Sequence, residues 1–183
     1  MDRVGHRPQR RSIRLSEYDY RSSGVYFITI CAHERRRIFG QIVGEVVQPS
    51  RLGQIVESEW IRSGEMRREI AMDRFVVMPN HLHGIVVIDQ AVHPVRAGSQ
   101  TRGRSLGSFI NGFKAATTRR INDLRGTPGD AVWQRNYYEH IVRDEDELNR
   151  IREYIALNPA KWAVDRENPA AGRSANLAAR WEA

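Results

Sequence analysis

Apolar residues recur with two different spacings along this chain, and the order in which the spacings alternate restricts the fold. Short runs of β-branched and aromatic residues are typical of strands, whereas apolar residues three or four apart are typical of helices. The predicted elements are a strand at 24–31, a helix at 51–66, strands at 70–78 and 81–88, a helix between Ser105 and Gly126, a strand at 132–142 and a last helix from 144 to 158. The first six have the βαββαβ order of a ferredoxin-like α+β fold, in which helices pack on an antiparallel sheet, and the seventh adds a C-terminal helix.

Turn and cap residues mark the ends of these elements. Ser105 is a typical N-cap, and Gly126 is a typical residue after a helix C-terminus. Asp144 and Glu147 have the spacing of a capping box, and Pro159 ends the helix that they begin, since proline disfavours helical geometry in the residue before it. The remaining segments are predicted to be a basic N-terminal arm at 1–23, a turn with a short hairpin at 33–50, a loop at 89–104 and a polar, weakly ordered tail at 164–183, which leaves one domain at 24–163.

The balance of charge favours a polyanionic partner. The chain has 183 residues and a formal net charge of +7, and almost all of its cations are arginine. Arginines grouped along a surface suit phosphate contacts, although a genome that favours arginine codons would give the same composition. The basic residues expected to contact nucleic acid are Arg11, Arg14, Arg35, Arg36, Arg104, Lys114, Arg119 and Arg120.

Other features of composition indicate a cytoplasmic protein. The single Cys31 excludes a disulfide within the chain and fits a reducing compartment. No apolar run reaches the roughly 18 residues that a membrane span needs, and the N-terminus has no apolar segment of a secretory signal.

Two histidines at the start of a predicted strand form a candidate metal site. Residues two apart on a strand point to the same face, so the rings of His81 and His83 converge while Leu82 faces the other way into apolar packing. Imidazole pairs suit Mn, Zn, Fe or Cu, and they tolerate Mg when oxygen ligands assist. The alternative is a pair of histidines at a strand edge with no ligand role.

A tyrosine and an asparagine on the last helix form a second candidate set. Tyr154 and Asn158 are four residues apart and therefore share one helix face, beside the apolar stripe of that helix. A phenol can attack phosphorus once a cation polarises the phosphate, and the amide oxygen of Asn158 could serve as a third ligand beside two imidazoles. Plain packing of the tyrosine is the alternative.

The predicted strand at 132–142 alternates aromatic with polar or basic residues. Such a strand can stack bases and bind phosphates, but it is equally well explained by one buried and one solvated face. The candidate nucleic-acid contacts on this strand are Trp133, Arg135 and Tyr137.

Taken together, several segments resemble one known family. VVMPNHLHGIVVI, SLGSFINGFKAATTRRIN, VWQRNYYEHIVR and LNRIREYIALNPAKW are similar to the corresponding blocks, in the same order, of the REP-associated tyrosine transposases. These proteins belong to the single-tyrosine HUH transposases of bacterial insertion sequences. The resemblance extends from about residue 26 to residue 162.

The resemblance implies a ferredoxin-like fold with a catalytic C-terminal helix, and an enzyme that nicks and rejoins single-stranded DNA at hairpin-forming palindromes. His81 and His83 match the metal-binding histidine pair of the family, and Asn158 matches its polar third ligand, for Mg²⁺ or Mn²⁺. Tyr154 matches the nucleophile, which becomes linked to the 5′ phosphate. The expected partner is hairpin-forming single-stranded DNA and not a membrane, and the protein is expected to be a monomer or a homodimer.

Two other functions fit parts of the pattern. A DNA- or RNA-binding module without catalysis would need only the fold and the charge. A water-activating metallohydrolase could use the histidine pair, but the residues directly after His83 supply no acidic ligand.

Overall fold

The computed structural model describes residues 23–89 and 105–171. In chain order the strands and α-helices are β1 (Gly24–Cys31), β2 (Gly40–Val43), β3 (Val46–Pro49), α1 (Arg51–Glu65), β4 (Ile70–Met78), β5 (His81–Ile88), α2 (Leu106–Arg125), β6 (Tyr138–Val142) and α3 (Glu145–Leu157). Single 3-10 turns cover His33–Arg35 and Trp162–Val164. Residues 1–22 of the predicted arm, 90–104 of the predicted loop and 172–183 of the predicted tail lie outside the described residues.

The main sheet has the order β4-β5-β1-β6, and every neighbouring pair is antiparallel. In chain order, α1 lies between β1 and β4, and α2 lies between β5 and β6. This is the βαββαβ arrangement. The β2–β3 hairpin is a separate two-stranded sheet inserted before α1. The ferredoxin-like α+β fold predicted from the sequence is therefore confirmed.

Side-chain alternation divides the sheet into two faces with separate cores. On one face, Ile28 and Leu82 pack beneath α1 and α2 with the ring of Trp60. On the other face, Phe27 and Ile85 pack with α3. Since His81 and His83 share the odd-numbered face of β5, the histidine pair lies on the same side of the sheet as α3.

The last helix, α3, is fixed on its face by apolar packing and by an ion pair. Its buried stripe consists of Leu148, Ile151 and Ile155, and this is the apolar stripe that the helical spacing predicts for the last helix. Arg152 donates through Nη2 and Nε to Asp73 Oδ2 on β4, at 2.6 and 3.0 Å. The helix that carries Tyr154 is thereby attached to the far edge of the sheet.

The residues predicted as caps lie at the ends of α2 and at the start of α3. Ser105 accepts a hydrogen bond from the Ser108 backbone, and Gly126 adopts a left-handed conformation with φ of 67° after α2. Asp144 accepts from the Glu147 backbone, while the Glu147 side chain accepts from the backbone of Arg143. The α3 helix ends at Leu157, although Asn158 still has helical dihedral angles before Pro159.

The strand predicted at 132–142 is too long. Only Tyr138–Val142 pairs with β1, and before it Trp133 forms one isolated bridge with Ala32. The Lys114 ammonium on α2 donates to the backbone carbonyls of residues 134, 135 and 136. Because these carbonyls face a side chain, they do not take part in a strand ladder.

The described part of the predicted tail packs against the sheet face that bears α3. Asp165, Glu167 and Asn168 are buried. Asn80 donates to the Glu167 carbonyl oxygen at 2.6 Å, which ties this segment to the turn before β5. None of the helices within residues 23–89 and 105–171 has both the length and the hydropathy of a membrane span.

Candidate metal and nucleophile site

His81 is buried and is fixed in one tautomer by its neighbour. Asn80 donates through Nδ2 to the carbonyl oxygens of Glu167 and Arg35, so its Oδ1 must face the His81 ring, 2.8 Å from Nδ1. His81 therefore carries its proton on Nδ1 and donates it to Asn80. Its Nε2 keeps a lone pair and has no hydrogen-bond partner in the described structure.

His83 is the second imidazole and lies beside Tyr154. Its Nδ1 is 2.8 Å from the Thr29 hydroxyl, which comes from the residue directly opposite in the β1–β5 register. Its Nε2 is 3.4 Å from the Tyr154 hydroxyl. The centroids of the two histidine rings are 4.3 Å apart. The pair and the phenol therefore meet at one point although 71 positions separate His83 from Tyr154.

Asn158 completes this cluster from the C-terminal end of α3. It is buried and lies beside both His81 and Tyr154. Its Nδ2 donates to Asp165 Oδ2 at 2.9 Å, whereas its Oδ1 has no hydrogen-bond partner in the described structure. The free amide oxygen is thus available toward the histidines.

Asp165 adds a carboxylate to the donor set. One ligand atom from each of His81, His83 and Asp165 lies within 4.8 Å of the other two, and all three residues are buried. Two imidazole nitrogens with oxygens from a carboxylate and an amide form a donor set that divalent transition metals accept, Mn²⁺ among them.

Burial keeps both histidines neutral. Desolvation, together with the charge of Arg35, lowers the pKa of His81 to about 3. Desolvation and then the neighbouring His81 lower the pKa of His83 well below its ordinary value. Neutral imidazoles can ligate a metal at neutral pH without first losing a proton.

The Tyr154 phenol, by contrast, is held in its protonated form. Burial raises its pKa, and the negative charges of Asp165 and Glu167 raise it further. A cation at the histidine pair would oppose these effects, because positive charge favours a phenolate. Tyr154 opens onto a cleft that Tyr138 and Arg166 also line.

Two buried acceptor atoms of the cluster are suited to bind a cation. His81 Nε2 and Asn158 Oδ1 are both buried acceptors, and no donor satisfies either of them in the described structure. Leaving buried polar atoms without partners costs free energy, and a cation would satisfy both at once.

Comparison with known proteins supplies a family and a fold. No family model matches the chain. An uncharacterised protein from Haemophilus influenzae is 40% identical over 173 residues, which cover 85% of this chain and 91% of that protein. The chain belongs to the same family as this Haemophilus protein.

Two solved structures are similar to this chain in shape. The REP-associated tyrosine transposase bound to a REP hairpin has a TM-score of 0.55 and 20% identity, over 81% of this chain and 74% of its own. A candidate transposase from Deinococcus radiodurans R1 has a TM-score of 0.40 and 16% identity, over 78% of this chain and 95% of its own. The likeness to the REP-associated tyrosine transposase confirms the fold that the sequence blocks implied.

Three of the residues predicted to contact nucleic acid already have partners in the fold. Trp133 is buried between Phe39 and Phe113, with ring centroids at 4.9 and 5.5 Å. The Lys114 ammonium is 5.5 Å from the Tyr137 ring as well as bonded to carbonyls, and burial lowers the pKa of Lys114 to about 8. Packing accounts for these three positions, and contact with DNA stays a prediction for each.

The predicted arginines are divided between the two sides of the sheet. Arg35 pairs with Glu167 at 3.0 Å next to the histidines, whereas Arg120 pairs with Glu59 at 2.6 Å in the helix layer on the opposite face. Arg36 donates to the Ala131 carbonyl oxygen. Arg119, on α2, is 3.9 Å from Asp123, Arg135 is exposed, and Arg11, Arg14 and Arg104 lie outside the described residues.

Sequence reasoning missed four residues of the cluster. Thr29 could have been found, because pairing β1 with β5 places it opposite His83. Asn80 directly precedes the histidine pair, but its position in the sequence does not show that it orients His81. Asp165 and Glu167 follow the last helix in a stretch without periodicity, so no sequence pattern indicates that they fold back to the histidines.

Proposed function

We propose that this protein is a metal-dependent single-stranded DNA endonuclease and strand transferase, a transposase that acts on hairpin or palindromic DNA through a 5′-phosphotyrosine. The observation that carries the proposal is the 3.4 Å approach of the Tyr154 hydroxyl to His83 Nε2, beside the unpartnered acceptors of His81 and Asn158. A nucleophile and a cation site thus adjoin one cleft.

The chemistry assigned to Tyr154 is an in-line displacement at phosphorus. A bond forms between the tyrosine oxygen and phosphorus, the bond from phosphorus to the 3′ oxygen breaks, and the departing 3′ oxygen gains a proton as the phenol loses one. Mg²⁺ or Mn²⁺ held by His81, His83 and Asn158 would neutralise charge on the scissile phosphate. Reversal by a 3′ hydroxyl would reseal the strand without a nucleotide cofactor.

The proposed substrate rests on fold and charge. The solved transposase that shares the fold is bound to a REP hairpin, and we extend hairpin DNA to this chain by analogy. The net charge of +7 favours such a polyanion. At the cleft itself, Arg166 is the arginine among the lining residues and is about half exposed, so a phosphate that enters the cleft would meet its guanidinium.

The proposal is tested by the variant Tyr154→Phe, incubated with a labelled hairpin oligonucleotide and Mn²⁺. Removing the phenol oxygen removes the nucleophile, so we expect the covalent protein–DNA adduct to disappear while the band shift of bound DNA persists. A chelator should abolish the adduct of the wild-type protein in the same way. The readout is a denaturing gel for the adduct and a native gel for binding.

Tyr138→Phe is the matched control, because Tyr138 lines the same cleft but lies on β6. This variant should retain the adduct. An adduct that survives in Tyr154→Phe and is lost in Tyr138→Phe would assign the nucleophile to Tyr138 and overturn the mechanism.

One observation favours a second function. Asp165 supplies the acidic group that a water-activating metallohydrolase needs beside its histidines. Such an enzyme would cleave the oligonucleotide without an adduct and would tolerate Tyr154→Phe. A binding module without catalysis would shift the native band and leave the DNA intact.

A further inference from the structure

Each carboxylate oxygen of Asp165 accepts a hydrogen bond. Asp165 follows the 3-10 turn after α3 and is 7% exposed. Its Oδ2 accepts from Asn158 Nδ2 at 2.9 Å, and its Oδ1 accepts from the backbone N–H of Glu167 at 2.6 Å. Both donors are buried, so neither has water as a ready substitute.

This arrangement determines which end of the Asn158 amide faces the histidines. An ionised carboxylate has no proton to donate, so only the NH₂ end of Asn158 can face Asp165. The carbonyl oxygen is then turned toward His81 and Tyr154, and it accepts no hydrogen bond in the described structure.

The opposite orientation would suit His81 better in the metal-free protein. With the amide reversed, its NH₂ group would donate to His81 Nε2, which is a buried acceptor without a partner in the described structure. Asp165 opposes this reversal, since a reversed amide would set two oxygens against each other.

We propose that Asp165 is a positioning residue that keeps the carbonyl oxygen of Asn158, rather than its NH₂ group, directed at the histidine pair. The inference deepens the proposed function, because it concerns the oxygen ligand of the proposed cation site. It assigns the buried segment after α3 a role in building the site.

The geometry explains why a carboxylate is needed at position 165. An asparagine there would have one oxygen and one NH₂ group. If its oxygen accepts from the Glu167 backbone, its NH₂ group meets the NH₂ group of Asn158, and Asn158 must reverse. Asp165→Asn therefore turns the NH₂ group of Asn158 toward the histidines in place of its oxygen, and the side chain at position 165 keeps its size.

The test measures two quantities on Asp165→Asn, the affinity for Mn²⁺ by titration calorimetry and the melting temperature of the chelator-treated protein. Loss of an orienting partner of a metal ligand typically costs about tenfold or more in metal affinity, and we expect that loss here. The melting temperature should be unchanged or higher, because the reversed amide satisfies His81. Asp146→Asn removes the same charge at an exposed position of α3 and should leave the Mn²⁺ affinity unchanged.

The exchange Asn158→Asp with Asp165→Asn is the rescue experiment. The new amide at position 165 would donate to one oxygen of the new carboxylate at position 158 and would still accept from Glu167. The other oxygen of that carboxylate would face the histidines. We expect Mn²⁺ affinity to return to within a fewfold of the wild type. An affinity that stays low in the exchanged protein would show that Asp165 is itself the essential ligand and would overturn the inference.

A melting temperature that falls in Asp165→Asn would also overturn the inference, because a merely structural carboxylate would behave in that way. This measurement needs no cation. If wild-type protein binds no Mn²⁺, the proposed cation chemistry fails, and the melting temperatures still decide the role of Asp165.

Discussion

At the scale of single residues, the buried histidines make the stability of the metal-free protein depend on pH. The pKa of His81 is about 3 in the folded chain, against about 6.5 for an unfolded one. Between these values the unfolded chain binds a proton that the folded chain excludes. The contribution to stability is therefore complete above the unfolded pKa and is lost as pH falls toward the folded pKa. From pH 7.5 to 5.5 the loss from His81 amounts to about 1.4 kcal/mol.

This prediction is checked by urea unfolding of the wild type and of His81→Gln in the presence of a chelator. Glutamine does not titrate, so the wild type should lose about 1.4 kcal/mol more than the variant between the two pH values. Titrating groups that do not interact with His81 cancel in the comparison, because both proteins share them. Equal losses in the two proteins would mean that His81 is solvated in the folded state.

At the scale of elements, the packing of α1 on the sheet depends on a glycine in β5. A Cβ on Gly84 would be 2.7 Å from Cζ2 of Trp60, whose fully buried ring also contacts Phe109 and Phe113. Gly84 therefore allows α1 to lie close above the sheet while its neighbour His83 faces the other side.

We accordingly expect Gly84→Ala to lower the free energy of unfolding by about 1–3 kcal/mol, the usual cost of overpacking a core. Chemical denaturation measures the change. Gly112→Ala on α2 is the control, since its new Cβ would meet only the end of Arg67 at 3.9 Å, and alanine favours a helix. The control should be neutral or stabilising. A fully stable Gly84→Ala protein would show that the Trp60 ring can move.

Elements whose pattern is local could be predicted from the sequence, whereas features that depend on contacts between elements could not. Strands β4 and β5 and helix α2 follow from local periodicity and caps, because their apolar faces and end residues lie within each segment. The prediction of a strand at 132–142 was wrong for its early part, because backbone carbonyls there accept from Lys114, which lies on a different element. The position of Asp165 in the cluster could not be predicted for the same reason, because it depends on a contact with Asn158 that no local pattern encodes.

At the scale of the whole molecule, the connection between β6 and α3 limits where Tyr154 can act. Only Arg143 and Asp144 separate the two elements, a link that spans about 10 Å when extended. The apolar stripe of α3 and the Arg152–Asp73 ion pair hold the helix on its own sheet. Transfer of α3 to the sheet of a second copy would require these contacts to break.

The whole-molecule prediction is that each chain uses its own tyrosine. A mixture of Tyr154→Phe with His83→Ala should then form no more covalent adduct on a labelled hairpin than either variant alone, because neither chain contains a complete cluster. Mixing the wild type with each variant controls for inhibition and should leave the adduct in proportion to the wild-type protein. If the tyrosine of one chain served the histidines of another, a mixed dimer would contain one complete site, and adduct formation would recover when the two inactive variants are combined. Such recovery would mean that α3 leaves the position in which its hydroxyl lies 3.4 Å from His83, despite the short link and the ion pair that attach it there.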